Sequence, residues 1–231
     1  MKVVRIPSGI PGFDKLVEGG FKKDSINLVA GEPGAGKTIF AIQFLIEGCK
    51  RGEAGIYITF EEKKPKLYED MSTFGWNLEK YEKKELFRFL EYTPEQVKKL
   101  LVEGGGIVDA LVDKIKAKRI VIDSITSFSL LYEDELTKKE AALSLFDLIN
   151  TWGCTAVLCS QSKTADHQPV MDAALEFEVD SIIIVYHSKR KGERVRALEI
   201  VKMRGTNIPS KTYGVKIGDN GLSVTSEIVK L

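Results

Sequence analysis

The chain has 231 residues, with 34 Lys and Arg against 33 Asp and Glu and a formal net charge of +1. That length suits one large core, and the charge balance excludes a globally basic nucleic-acid binder, so any such contact must come from a local patch. No run is long and apolar enough to span a bilayer and the N-terminus lacks the apolar core of a signal peptide, so no membrane partner is expected. The three cysteines, Cys49, Cys154 and Cys159, are an odd number with no zinc-site spacing; Cys154 and Cys159, in an apolar run, read as small core residues, and the set suggests a reducing cytoplasm.

Residues 1–24 are turn-rich. They carry Ser8-Gly9-Ile10-Pro11-Gly12-Phe13-Asp14 and Gly19-Gly20-Phe21, and predict a lead-in packed on the rest, with one core over 25–231. Ser25–Ala30 reads as a short buried strand and Thr38–Ile46 as a helix with an apolar face. Between them lies Gly31-Glu32-Pro33-Gly34-Ala35-Gly36-Lys37-Thr38, which fits G-x-x-x-x-G-K-[ST] in its proper strand–loop–helix context. Glycines let the backbone curl so that N–H groups point at phosphate oxygens, and the helix N-terminus adds partial positive charge beneath them. In such a loop Lys37 reaches the β- and γ-phosphates and Thr38 ligates Mg²⁺.

Ile56–Phe60 predicts a second strand ending at Glu61 and Glu62. A helix from about Pro65 to Phe74 and a strand over Leu86–Leu90 follow. Thr93 caps a helix with Pro94 at its first position, Gly104–Gly106 breaks it, and it resumes over Ile107–Lys116. Arg119–Ser124 is a β-branched strand ending in Asp123, the pattern of a strand whose aspartate holds a Mg²⁺ water shell. Thr137-Lys138-Lys139-Glu140 predicts a capping box opening the next helix. Thr155–Cys159 is a strand with Ser160-Gln161 at its end. Beyond Asp180 the pattern changes to two hairpins, Asp180–Tyr186 with Val195–Val201 and Thr212–Ile217 with Leu222–Thr225.

Strands alternating with long helices predict an α/β fold with a mostly parallel, helix-covered sheet and an antiparallel C-terminal extension. Ligands of such sheets sit at the strand carboxyl ends. The glycine loop, Glu61 and Glu62, Asp123 and Gln161 all fall there. Glu61 or Glu62 is the candidate to orient a water, and the spacing does not choose between them. Gln161 is a candidate γ-phosphate contact, a polar loop start being the alternative. Lys202 and Arg204 alternate at the end of the return strand; by themselves they read as a solvated basic edge. Lys189-Arg190-Lys191 with Arg194 reads as a solvated hairpin tip.

Gly9–Asp14, Gly31–Thr38, Thr59-Phe60-Glu61-Glu62, Ile122-Asp123-Ser124 and Lys202-Met203-Arg204-Gly205-Thr206 together resemble the single-domain KaiC-like branch of the RecA/RadA ATPases. The resemblance runs from about residue 5 to 226. It implies a RecA core, ATP and Mg²⁺, and a ring with composite sites between subunits, as in a hexamer. Glu61, with Glu62 beside it, matches the catalytic glutamate, and Lys202 and Arg204 match residues reaching the neighbouring subunit's γ-phosphate. Glu176-Phe177 stand where the clock protein's autokinase half carries Ser and Thr, so autophosphorylation is not expected. Gln161 is more similar to the RecA/RadA strand end than to the clock protein's acid. Ser162–Met171 corresponds to the loop that touches DNA in recombinases, but offers only Lys163 and His167 and no aromatic platform. The resemblance leaves three readings: a slow ATPase ring that engages a protein client, a RadA-like DNA-handling ATPase, and an ATP-dependent assembly switch with little turnover.

Overall fold

The computed structural model describes residues 3–102, 104, 106–129, 131–132, 134–161, 163–165, 168–170, 178–190 and 192–230. The chain opens with β1 (Arg5–Ile6), α1 (Phe13–Leu16) and β2 (Phe21–Lys22), β1 pairing antiparallel with β2. Next come β3 (Ile26–Gly31), α2 (Lys37–Lys50), β4 (Gly55–Thr59), α3 (Lys64–Ser72), α4 (Leu78–Lys83) and β5 (Phe87–Glu91). Then follow α5 (Pro94–Val102), α6 (Gly106–Ile115), β6 (Arg119–Asp123), α7 (Ile125–Ser129), α8 (Glu135–Trp152) and β7 (Thr155–Gln161). The last third holds a small pair, β8 (Lys163–Ala165) with β9 (Gln168–Val170), then β10 (Ser181–Arg190), β11 (Glu193–Met203), β12 (Tyr213–Gly218) and β13 (Gly221–Ile228).

Among the described residues the main sheet has the order β13-β12-β11-β10-β3-β7-β6-β4-β5. From β10 to β5 every neighbouring pair is parallel. β11, β12 and β13 extend it antiparallel. The expected α/β sheet with C-terminal hairpins is therefore present, and β3, which feeds the glycine loop, is flanked by β10 and β7 well inside it.

Both sheet faces are covered, and the period-two alternation of the strands assigns each residue to a face. Val29, Tyr57, Val121, Val157 and Ile183 pack with Phe40, Phe44 and Leu45 of α2. Leu28, Ile56, Ile58, Ile120, Ile122 and Leu158 pack with Val97 of α5, Val108 of α6 and Leu145, Phe146 and Ile149 of α8. Residues of the lead-in join the first of these layers. Phe13 meets Phe40 edge-on at 5.4 Å between ring centroids, and Phe21 meets Phe44 at 5.7 Å.

Two local expectations resolve differently. Thr93 and Gln96 form a reciprocal capping box, Thr93 N–H donating to Gln96 Oε1 at 2.7 Å and Gln96 N–H to Thr93 Oγ1 at 3.4 Å. The box expected at Thr137–Glu140 is not the start of α8. Asp134 accepts the Thr137 N–H at 2.8 Å, and the helix begins at Glu135. An ionised carboxylate is at least as good an N-cap as a hydroxyl, and it stands earlier in the chain. Ser162, His167, Glu176, Phe177 and Lys191 lie outside the described residues, as does the Lys163 side chain.

Arg119 is fully buried at the start of β6. Its guanidinium pairs with Glu53 at 2.6 Å, donates to Pro7 O and Phe44 O at 2.8 Å each, and lies 4.6 Å over the Phe44 ring. It ties the lead-in, α2 and β6 together. An Arg119→Met chain keeps the volume but removes the ion pair to Glu53 and the hydrogen bonds to Pro7 O and Phe44 O. We expect a loss of about 3 kcal/mol, read as a lower denaturant midpoint at unchanged slope.

Candidate functional site

The site forms where β3, β4, β6 and β7 end. Gly31 closes β3 opposite Gln161 of β7, and Thr59 closes β4 opposite Asp123 of β6. The glycine loop leaves β3 between these ends and enters α2 at Lys37. The sequence demands glycine here for two different reasons. At Gly31 a Cβ would fall 2.1 Å from Val185 O of β10, so the close approach of a neighbouring strand requires it. At Gly36 the backbone sits at φ 108°, in the left-handed region that L side chains rarely adopt.

Lys37 is buried, and its Nζ donates to Gly31 O at 2.8 Å and Glu32 O at 3.0 Å. Burial lowers its pKa, and the nearby carboxylates of Asp123, Glu61 and Glu32 work against that shift. Thr38 Oγ1 donates to Asp123 Oδ2 at 2.7 Å. Tyr57 OH donates to the same oxygen at 3.0 Å. Asp123 is raised by burial, with the Thr38 and Tyr57 hydrogen bonds opposing. Two hydroxyl donors thus converge on one carboxylate oxygen.

The arrangement fits a nucleoside triphosphate with Mg²⁺. The first-turn N–H groups of α2 have no intrahelical partners and open onto the curled loop. Thr38 and Asp123 supply hard oxygen atoms beside it. Among the described residues there is no cluster of three or more His, Cys, Asp or Glu side chains able to hold a metal. A Mg²⁺ site here therefore depends on phosphate oxygens and water for its remaining positions, as that ion prefers. A cavity of about 430 Å³ lies against the loop, lined by Gly34, Gly36, Lys37, Thr38, Ile39, Arg196 and Ile217.

Of the two acids after β4, Glu61 is exposed and accepts a hydrogen bond from Ser127 Oγ of α7. Its charge is felt at both Lys37 and Asp123. Glu62 is half-buried, and its charge is felt at Tyr57. Gln161 is exposed, and its N–H donates to Thr126 Oγ1 at 2.7 Å. The glycine loop, Thr38, Asp123, Glu61 and Gln161 thus share one edge of the sheet.

Lys202 and Arg204 do not join them. β11 runs against β10, so Lys202 stands opposite Ile182 and Met203 opposite Ser181, at the amino ends of the parallel strands. Val185, the β10 residue level with Gly31, lies four residues further on, roughly 13 Å along the strand. Arg204 follows the end of β11 and is exposed. Within one chain these cations face the opposite rim of the sheet from the glycine loop.

Sequence reasoning missed Tyr57 and Arg196. Tyr57 is an aromatic with a polar tip in an otherwise apolar buried strand, and a buried tyrosine needs a partner for its hydroxyl. That was the available signal. Arg196 of β11 donates from Nε and Nη2 to Gly34 O, both at 3.2 Å. Nothing in the spacing links residues 162 positions apart. His187 of β10 also lies beside Gly34, where burial and the neighbouring Arg196 and Arg194 lower its pKa.

The family described as ATPase: KaiC matches residues 6–228. The chain is 33% identical over 235 residues to a UPF0273 protein of Pyrococcus furiosus, covering 96% of this chain and 94% of that protein. It is 32% identical over 212 residues to the circadian clock protein KaiC3 of Synechocystis, covering 89% of this chain but 42% of the clock protein, so it spans less than half of that relative. The crystal structure of a KaiC-like protein from the hyperthermophilic archaeon Pyrococcus horikoshii matches with a TM-score of 0.86 at 36% identity, covering 97% of this chain and 100% of that one. Among the described residues no helix is long and apolar enough to cross a membrane.

Proposed function

Because the chain belongs to the KaiC family of ATPases, related to RecA and RadA, we propose that it is a cytoplasmic, Mg²⁺-dependent ATPase. It assembles head to tail into a ring, a hexamer, with ATP between subunits, and its nucleotide state controls engagement of a protein client. The observation that carries the composite site is the division of labour across the sheet. Lys37, Thr38, Asp123 and Glu61 gather at one rim, whereas Lys202 and Arg204 stand at the other. A head-to-tail contact brings these two rims together and is the kind of interface that closes into rings.

In this reading the loop Gly31-Glu32-Pro33-Gly34-Ala35-Gly36 wraps the phosphates with its N–H groups. Lys37 leaves its carbonyl partners for the β- and γ-oxygens, and Thr38 with Asp123 holds Mg²⁺. Bound there, the ion neutralises charge building on the phosphate oxygens. Glu61 orients the attacking water, Ser127 fixing its carboxylate. Gln161 contacts the γ-phosphate beside the loop. Lys202 and Arg204 of the adjacent subunit stabilise the transition-state charge.

Tyr57 supports the metal through Asp123. A Tyr57→Phe chain keeps the ring packing and loses one hydrogen bond, worth about 1 kcal/mol. The Mg²⁺ concentration giving half-maximal binding of a fluorescent ATP analogue is expected to rise about fivefold. An unchanged Mg²⁺ titration would mean that Thr38 alone orients Asp123.

The proposal as a whole is tested by ATP turnover of the purified protein with and without single-stranded DNA. Slow, Mg²⁺-dependent turnover indifferent to DNA supports it. Strong stimulation by DNA, falling steeply with salt, would replace it with the RadA-like reading. Nucleotide-dependent assembly without turnover would replace it with the assembly switch.

A further inference from the structure

The turn that carries Arg204 is held by the lead-in. Arg5 Nη1 donates to Thr206 Oγ1 at 2.8 Å and to Gly20 O at 3.4 Å. Arg5 Nη2 donates to Glu18 Oε2 at 2.6 Å and reaches Gly205 O at 3.5 Å. The other Glu18 oxygen, Oε1, accepts the Asn207 N–H at 3.2 Å. Two side chains some two hundred positions away thus grip Gly205, Thr206 and Asn207 in succession.

The pair is built at some expense to the local backbone and solvation. The Arg5 side chain is only 11% exposed. A guanidinium so far removed from water needs its partners in place. Glu18 lies at φ 57°, a left-handed conformation that disfavours glutamate, and Gly19 and Gly20 continue at φ 106° and 128°. A non-glycine residue in that region points to a demand on its side chain, and here the carboxylate bridges Arg5 and Asn207. Arg204, which leads into the gripped turn, is exposed, and Arg5, Glu18 and Gly205 line a hollow of about 670 Å³ with Val3 and Val4.

We infer that Arg5 and Glu18 are positioning residues: they hold the turn that follows β11, from Arg204 to Asn207, in the conformation that presents Arg204 to the nucleotide of a neighbouring copy. This rests on the composite-site reading above. The lead-in then has a part in the chemistry without touching the reacting atoms. A turn displaced by an ångström leaves ATP bound by its own subunit but misplaces the charge in the transition state. The loss is thus expected in kcat and not in KM.

The test uses full-length Arg5→Met, Arg5→Lys and Thr206→Val chains, each checked for a cooperative thermal transition above the assay temperature. Arg5→Met is expected to lower kcat about tenfold with KM changed by less than about twofold. Arg5→Lys, which restores one charged donor, is expected to recover part of the loss, and Thr206→Val to show a smaller fall. Mixing separates positioning from folding. Arg5→Met chains have a sound glycine loop and Glu61 but a loose turn. They should regain activity when assembled with Glu61→Gln chains, whose turn is intact, and should regain none with Arg204→Ala chains. Failure of Arg5→Met to recover in either mixture overturns the inference, as does full turnover by Arg5→Met when Arg204→Ala is inactive. Full turnover by Arg204→Ala itself overturns the composite site, and this inference with it.

Discussion

An Arg204→Ala chain is expected to hydrolyse ATP about a thousandfold more slowly than the unaltered protein while binding it with little change, because a cation supplied in trans acts on charge that builds only in the transition state. The placement of Arg204 gives this prediction a second arm. It lies past the end of β11, at the rim away from its own glycine loop. A chain lacking Arg204 and a chain lacking Glu61 should therefore complement each other. Random one-to-one mixing gives a sound pair at about one interface in four, so the mixture should recover about a quarter of normal turnover. The measurement is steady-state phosphate release against mixing ratio. A flat, near-zero profile across all ratios would show that each chain uses only its own residues.

Glu61→Gln is expected to lower turnover by about 10²–10⁴-fold, the range for losing a group that accepts or orients a proton in the transition state, with ATP affinity preserved. Glu62→Gln is expected to stay within about threefold of normal. Both acids lie past the end of β4, in a turn where their N–H groups donate to Thr59 Oγ1 at 3.3 and 3.0 Å, so strand alternation does not choose between them. The contacts favour Glu61: it is held by Ser127 and its charge reaches Lys37 and Asp123, whereas the charge of Glu62 reaches Tyr57. Single-turnover hydrolysis by the two variants distinguishes them. A larger loss from Glu62→Gln would transfer the water-orienting role to it.

The Arg119 and Tyr57 variants probe different levels of the same molecule. Arg119 joins three elements that the chain visits far apart, and its loss should appear in stability. Tyr57 touches the site through a single hydrogen bond, and its loss should appear in the Mg²⁺ dependence.

Much of this was written locally. Apolar runs of β-branched residues between amphipathic stretches specify buried strands and covering helices, because burial on both faces leaves no other economical pattern. Boundaries fell within a residue or two where a cap or a glycine marked them, as at Thr93 and Gly153. They missed at α8, where Asp134 and Thr137 were both competent to cap and only the placement of the helix chose between them. The glycine loop was legible because its function depends on backbone conformation, which short stretches encode.

What the tertiary structure alone decided is which distant residues meet. Strand order put β10 beside β3, and with it Val185 against Gly31, His187 near Gly34 and Arg196 onto the Gly34 carbonyl. It sent Lys202 and Arg204 to the far rim and brought Arg5 and Glu18 beneath their turn. Such contacts depend on sheet order and on the closure of long loops, and neither leaves a periodic trace along the chain.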